Sequence, residues 1–193
     1  RGWLFASPNN SLRGGIARND ITAVMDGDGG EATLNGLYLA DGDRLVDNHT
    51  VIDHATAHCP SHELYKGVLG GKARAVFNGK IFVRQDAQKT NAKQTNKALL
   101  LSDNAQINTK PQLEIFADDV KCTHGATVGR LDEMALFYMK SRGVDADTAR
   151  RLLIYAFAAD VLETIEQQDV REALERSTLQ RFVKTEEEIV HSA

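Results

Sequence analysis

The chain has 193 residues, 26% of them charged and 42% hydrophobic, an ordinary balance for a globular protein that can close one core with a small appendage. A net charge of -4 argues against the basic face of a nucleic-acid binder. No apolar run approaches the length of a membrane span.

The start, Arg1 to Leu4, has neither a basic n-region nor an apolar h-region, so it does not read as a signal peptide. It also lacks Met, which points to a longer native chain. Residues 1–129 read as a series of short strands with no convincing amphipathic helix. Leu34, Leu37 and Leu39 run into a turn at Asp41, Gly42 and Asp43. Thr50 to Ile52, Leu64 to Leu69, Ala73 to Phe77, Ile81 to Val83, Leu99 to Leu101 and Leu113 to Ile115 continue the series, with Gly70 and Gly71 as a break. Asn78-Gly79 is a strong hairpin-turn signal. Asn91, Asn96, Asn104 and Asn108 read as further punctuation. Such a series allows a sandwich, a barrel or a parallel β-solenoid. Runs that are apolar on both parities, such as Leu99 to Leu101, and the scarcity of hairpin dipeptides favour the solenoid. No strict hexapeptide or nonapeptide repeat supports it.

After Gly129 the pattern turns helical. A first helix is expected over 132–142 with Gly143 as its stop. A second is expected over 146–167, N-capped by Asp145 and apolar almost all round, with Tyr155 and Phe157 prominent. A third is expected near 169–183, and the polar tail 184–193 reads as frayed. The expected organisation is a β-body over 1–129 and a helical subdomain over 130–193.

Three groups of residues carry candidate chemistry. Cys122 and His124 lie two apart in a strand-like run, so both side chains face one way. A thiol beside an imidazole suits a soft metal or a sulfur species. Val120 shares their parity, and the same face suits a core in which Cys is a small hydrophobe. Two ligands do not complete a zinc or iron–sulfur site, so a metal here needs ligands from another chain. Glu114, Asp118 and Asp119 lie upstream as hard ligands or as partners that orient the imidazole. The second group is His49, His54, His58, Cys59 and His62, whose spacing matches no standard zinc pattern and reads as turn decoration, with metal binding as the alternative. The third is the basic series Arg74, Lys80, Arg84, Lys89, Lys93 and Lys97, read as a solvated face. Neither a phosphate-binding G-x-x-x-x-G-K-[ST] loop nor a G-x-S-x-G elbow is present, so the chain binds no nucleotide of that type itself. The two cysteines suit free thiols in a reducing cytoplasm.

Lys110 to Gly129, with Leu64 to Gly67, Lys72 to Phe77, Gly79 to Ile81, Ala87 to Thr90, Leu99 to Ser102, Leu136 to Tyr138, Ser141 to Gly143 and Ile154 to Ala159, resembles the SufB/SufD family of the SUF iron–sulfur cluster assembly system. The wording from Asp118 to His124 is that of the D subunits (SufD) rather than the B subunits, and the chain resembles a C-terminal portion of one. The resemblance implies a mainly β fold, a right-handed parallel β-helix followed by a small C-terminal α-helical subdomain. It implies a scaffold that is not itself an enzyme and that builds an iron–sulfur cluster transiently. It implies pairing with a SufB-like subunit through the last rungs, docking of a SufC-like ATPase by the helices, and a homodimer when the subunit is alone. His124, with Cys122 as helper, is then the cluster-binding and metal-binding group, shared with the partner subunit.

Two readings of other classes stand beside it. One is a plain β-helix oligomerisation module with structural Cys and His. The other is a carbohydrate-active β-helix enzyme, which needs paired carboxylates across a groove. Asp118 and Asp119 are adjacent and would point to opposite faces of a strand, which argues against such a pair.

Overall fold

A computed structural model describes residues 4–11 and 15–181 of the chain. Nine strands come first: β1 (Leu4–Ser11), β2 (Ile16–Met25), β3 (Glu31–Ala40), β4 (Leu45–His54), β5 (Pro60–Leu69), β6 (Arg74–Val83), β7 (Asn91–Leu100), β8 (Gln106–Ile115) and β9 (Lys121–Gly129). Three helices follow: α1 (Glu133–Ser141), α2 (Ala146–Leu162) and α3 (Gln168–Arg181). The chain divides into two compact units, Arg1–Arg130 and Leu131–Ala193.

The strands alternate between two sheets. Odd-numbered strands form a five-stranded sheet in the order β1-β3-β5-β7-β9, and even-numbered strands a four-stranded sheet in the order β2-β4-β6-β8. Every described pairing is parallel. This is a β-solenoid of about four turns, in which each coil lays one strand on each sheet. Leu45 stands opposite Arg74, and Arg74 opposite Gln106, so a coil takes about 30 residues, within the usual span of solenoid repeats. That period is too long to appear as a hexapeptide or nonapeptide signature.

The corners explain the turn residues. Gly29, His58 and Lys89 occupy successive coils at one corner, all with positive φ (69°, 56° and 63°). Their amides bond to the coil above: Gly29 to Ala57, His58 to Gln88, Lys89 to Asp119. Gly42 and Gly71 turn the other corner, with φ of 68° and 59°, and there the carbonyls make the links between coils: Gly42 O accepts from the Lys72 amide and Gly71 O from Ser102 Oγ. The turn expected at Asp41 to Asp43 is thus present. The turn expected at Asn78-Gly79 is not, because both residues lie within β6. Gly79 is there for room: a Cβ on it would sit 2.4 Å from Gln94 Nε2 and 2.7 Å from Phe77 Cζ. Asn96, read as punctuation, is instead fully buried inside β7.

Inward residues alternate along β4 and β6 and stack in columns from coil to coil. Phe77, Ile52, Ile81, Leu34 and Tyr65 are fully buried, and the Tyr65 and Phe77 rings lie 5.1 Å apart. Tyr65 and Tyr38 pack reciprocally: the Tyr65 ring occupies the space beside Gly36, and the Tyr38 ring that beside Gly67. Tyr38 Oη donates to Asn96 Oδ1 (3.2 Å), and Asn96 Nδ2 donates to Thr109 Oγ1 (3.0 Å). The interior therefore mixes apolar layers with polar links between coils.

In the helical unit, Asp132 caps α1 by accepting from Met134 and Ala135, and Asp145 caps α2 by accepting from Thr148. The second helix ends at Leu162 rather than continuing to 167, because a turn at Glu163 and Thr164 closes it. Ala149, Ile154, Ala158, Val161 and Leu162 form its buried side. The end expected for the third helix and the polar tail lie outside the described residues. Among the described residues no helix is long and apolar enough to cross a membrane.

Candidate functional site

Cys122 and His124 lie on β9, the outermost strand of its sheet. On its inner side β9 pairs with β7, so Ala92 stands opposite Cys122 and Gln94 opposite His124. Ala92 and Gln94 are buried inward positions, so Cys122 and His124 continue two interior columns into the last coil. Among the described residues no strand pairs with the outer edge of β9, and both columns end there.

The two residues differ in their surroundings. Cys122 is half-buried and packs on a cluster of Ile81, Val83, Ala87, Ala92 and Ala117. Burial pushes its thiol up, with a backbone hydrogen bond at Ala92 opposing the rise. A protonated thiol is a weak nucleophile and a weak ligand until a metal displaces its proton. His124 is exposed. Its ring is open to whatever covers the end of the solenoid, and a neutral imidazole is a ready ligand there.

The upstream carboxylates do not converge on this pair. Glu114 faces outward and pairs with Lys80 at 2.7 Å. Asp118 and Asp119 lie in the loop between β8 and β9, not in a strand. Asp119 pairs with Lys89, and its amide donates to Gln88 Oε1. The expectation that Asp118 or Glu114 orients the imidazole therefore finds no support, and the strand argument against an Asp118–Asp119 pair gives way to a loop. The basic series behaves as a solvated face: Lys80, Arg84 and Lys89 are held by Glu114, Asp53 and Asp119.

The histidine-rich stretch is dispersed by strand parity. His49 faces outward against Asp47, His58 forms a corner and His62 is exposed. His54 faces inward, fully buried, with its Nε2 3.0 Å from Ser61 Oγ. Burial holds it far below the usual histidine range, at about 4. Cys59 Sγ is tied to the carbonyl oxygens of Gly27 and Ala57. Among the described residues no three His, Cys, Asp or Glu side chains converge as a metal site. Cys122 and His124 are thus two candidate ligands on neighbouring columns of the edge strand, short of a complete set within the described residues.

Pattern reading missed two residues directly below His124. Gln94 and Glu63 continue its column inward on β7 and β5. Only the coil length, about 30 residues, reveals that they stack, and that length is not visible as a motif.

The same residues can be set against known proteins. The family described as SUF system FeS cluster assembly, SufBD core domain, matches residues 5–157. The chain belongs to the SufBD core family. It is 40% identical over 161 residues to the iron–sulfur cluster assembly protein SufD of Escherichia coli K12, covering 83% of this chain and 38% of that protein. It is 32% identical over 182 residues to SufD of Bacillus subtilis 168, covering 94% of this chain and 40% of that one. It is 36% identical over 165 residues to the chloroplastic protein ABCI7 of Arabidopsis thaliana, covering 84% and 34%. The chain thus spans well under half the length of these relatives. The parallel solenoid followed by helices is the fold that the wording from Lys110 to Gly129 implied.

Proposed function

We propose that this chain is the solenoid and helical part of a scaffold subunit on which iron–sulfur clusters are built and from which they are released, with no catalytic turnover of its own. One observation carries the reading: an exposed imidazole, His124, lies two residues from Cys122 on an edge strand that no other described strand pairs with on its outer side. Membership of the SufBD core family supports it. Iron and sulfide are the cargo. His124 supplies a borderline nitrogen ligand that binds iron and gives it up more readily than a thiolate. Cys122 is the secondary donor. The remaining ligands come from a SufB-like subunit that continues the two sheets; an edge without a further described strand and the exposed apolar residues Ile115, Phe116 and Val128 support pairing at that end. The same edge serves a homodimer when the SufB-like subunit is absent.

Nucleotide chemistry belongs to a second partner, a SufC-like ATPase, docked by the helical unit. Met134, Phe137 and Tyr138 on α1 and Leu152 on α2 are exposed, whereas Tyr155 and Phe157 are half-buried. These exposures favour α1 as the centre of such a face, beside Tyr155 and Phe157, which the sequence singled out. Phe137→Glu should abolish co-purification of the ATPase and leave the circular dichroism of the chain unchanged. Retained co-purification removes this face from consideration.

The site is tested by comparing His124→Ala with Cys122→Ala in the full-length complex. Cluster formation is followed by absorbance and assembly by gel filtration. His124→Ala should lower the rate roughly 10–100-fold with the complex intact, and Cys122→Ala less. A wild-type rate for His124→Ala leaves the rival reading, a structural oligomerisation module, which the exposed apolar rim also supports.

A further inference from the structure

Glu63, Gln94 and His124 occupy one inward column, on β5, β7 and β9 of three successive coils. The lower two are sealed from solvent, with 0% of Glu63 and 1% of Gln94 exposed. Gln94 Nε2 donates to Glu63 Oε2 at 2.6 Å. With Glu63 ionised that bond sets which way the amide faces, since a carboxylate only accepts. Gln94 Oε1 is left as the acceptor end. It is buried and has no hydrogen-bond partner among the described residues. The opposite wall makes room for this amide: Gly79 on β6 has no side chain where a Cβ would lie 2.4 Å from Gln94 Nε2.

A carboxyl group and an amide in a solenoid core are unfavourable compared with an apolar pair of similar volume. Burial lifts the Glu63 carboxyl to about 7, with Thr50 and Gln94 beside it opposing the rise. The next inward column toward the corner is filled by Ala32, Ser61 and Ala92, all small. Packing alone therefore does not call for a carboxyl-bound amide with one unused acceptor at this position.

We propose that Glu63 and Gln94 are positioning residues for His124. The carboxyl group locks the Gln94 amide, and the amide oxygen accepts one ring N–H of His124 when a partner chain closes the end of the solenoid. This inference rests on the reading of His124 as an iron ligand. Adjacent strands of a sheet are about 4.8 Å apart, a gap that a hydrogen bond between neighbouring side chains of one column spans. An imidazole whose one nitrogen donates to a fixed acceptor presents the lone pair of the other to a metal, in a set orientation and tautomer. In the chain alone His124 is exposed, so water can take up its ring N–H in place of the buried Gln94 oxygen. Covering the edge removes that competition, so the support acts in the assembled complex.

The test uses the full-length protein assembled with its SufB-like and SufC-like partners, carrying Gln94→Leu, Glu63→Gln or His124→Ala. Two quantities are measured: the initial rate of cluster formation from ferrous iron and sulfide, and the exchange of the His124 ring C2 hydrogen across pH, read by mass spectrometry. Gln94→Leu should slow cluster formation roughly tenfold and shift the His124 exchange profile toward that of an unanchored imidazole. Glu63→Gln, close to isosteric, should fold as wild type and shift the profile in the same direction by less. Gel filtration checks that each complex is intact. If both variants build clusters at the wild-type rate while His124→Ala does not, the positioning role is overturned and the reading of His124 stands. If His124→Ala itself builds clusters at the wild-type rate, that reading fails and the positioning role fails with it. A slowed rate with an unmoved His124 profile also overturns the proposal, since Gln94 then acts on the fold and not on the imidazole.

Discussion

The interior coils and the last coil share one register yet hold their residues under opposite conditions. Val83 on β6 is fully buried, and Ile115, its partner on β8, is 39% exposed. Ala98 on β7 is 3% exposed, and Val128, its partner on β9, is 48% exposed. The strands are equally regular in both places. What changes is whether a further coil lies on top. Identity of fold therefore does not fix the role of a residue in a solenoid; its distance from an open end does. An apolar side chain that is core in one coil stands exposed in the next, and a polar one that would be a liability inside is open to solvent at the rim.

Substitution should separate the two conditions most sharply where burial is complete. Ile81→Ala removes a fully buried side chain and should cost about 2–5 kcal/mol of folding stability in urea unfolding. Ile115→Ala should cost less than about 1 kcal/mol in the isolated protein and weaken its pairing with a partner chain. Equal costs in the isolated protein would mean that the last coil is already sealed.

The next effect concerns the buried carboxyl. Glu63 titrates near 7 in the folded chain and in the ordinary carboxylate range when unfolded. As pH rises from about 4.5 to 7, the unfolded chain loses a proton that the folded chain keeps, so stability falls over that window. Glu63→Gln removes this loss. The stability difference between variant and wild type should shift by about 2–3 kcal/mol in favour of the variant from pH 4.5 to pH 7, measured by urea unfolding at both values. His54 acts in the opposite sense. Its folded value is lowered to about 4, so stability is lost as pH falls from 6.5 toward 4. That contribution is common to both proteins and cancels in the difference. A difference that stays constant with pH would show that Glu63 titrates alike in both states.

The smallest effect tests the links between coils. Tyr38→Phe removes the donor to Asn96 and leaves a buried acceptor with one partner fewer. It should cost about 1 kcal/mol in the same assay. No loss at all would mean that the Tyr38–Asn96–Thr109 chain is incidental to holding the last coil.

Much of this was legible in the sequence, for identifiable reasons. Short apolar runs without helical periodicity before Gly129 pointed to strands, and irregular breaks pointed away from hairpins. Asp132, Asp145 and Gly143 marked the helix ends correctly, because caps are local chemistry. The wording from Asp118 to His124 carried the family. Asn78-Gly79 misled because a hairpin dipeptide and a glycine making room for a neighbouring amide look alike in one dimension. Asn96 misled likewise, since a buried asparagine that links two coils is indistinguishable from one in a turn. Glu63 and Gln94 were invisible because their relation to His124 depends on a coil length that leaves no repeat signature. The sequence drew attention to Tyr155 and Phe157 because the middle of α2 is apolar all round, and only the fold shows that α1 carries the more exposed apolar residues.

The unpaired edge of β9 has a kinetic side as well. In a stack of coils each layer is held by its neighbours, so opening begins at a free end and runs inward like a zip. Amide protection should therefore form a gradient, weakest on β9 and strongest on β5 and β6. A partner laid against β9 extends the ladder by one coil and moves the fraying end onto another chain. A chain paired there would stiffen the strand that carries His124, so the state of this edge would also set how long the end of the solenoid holds its shape.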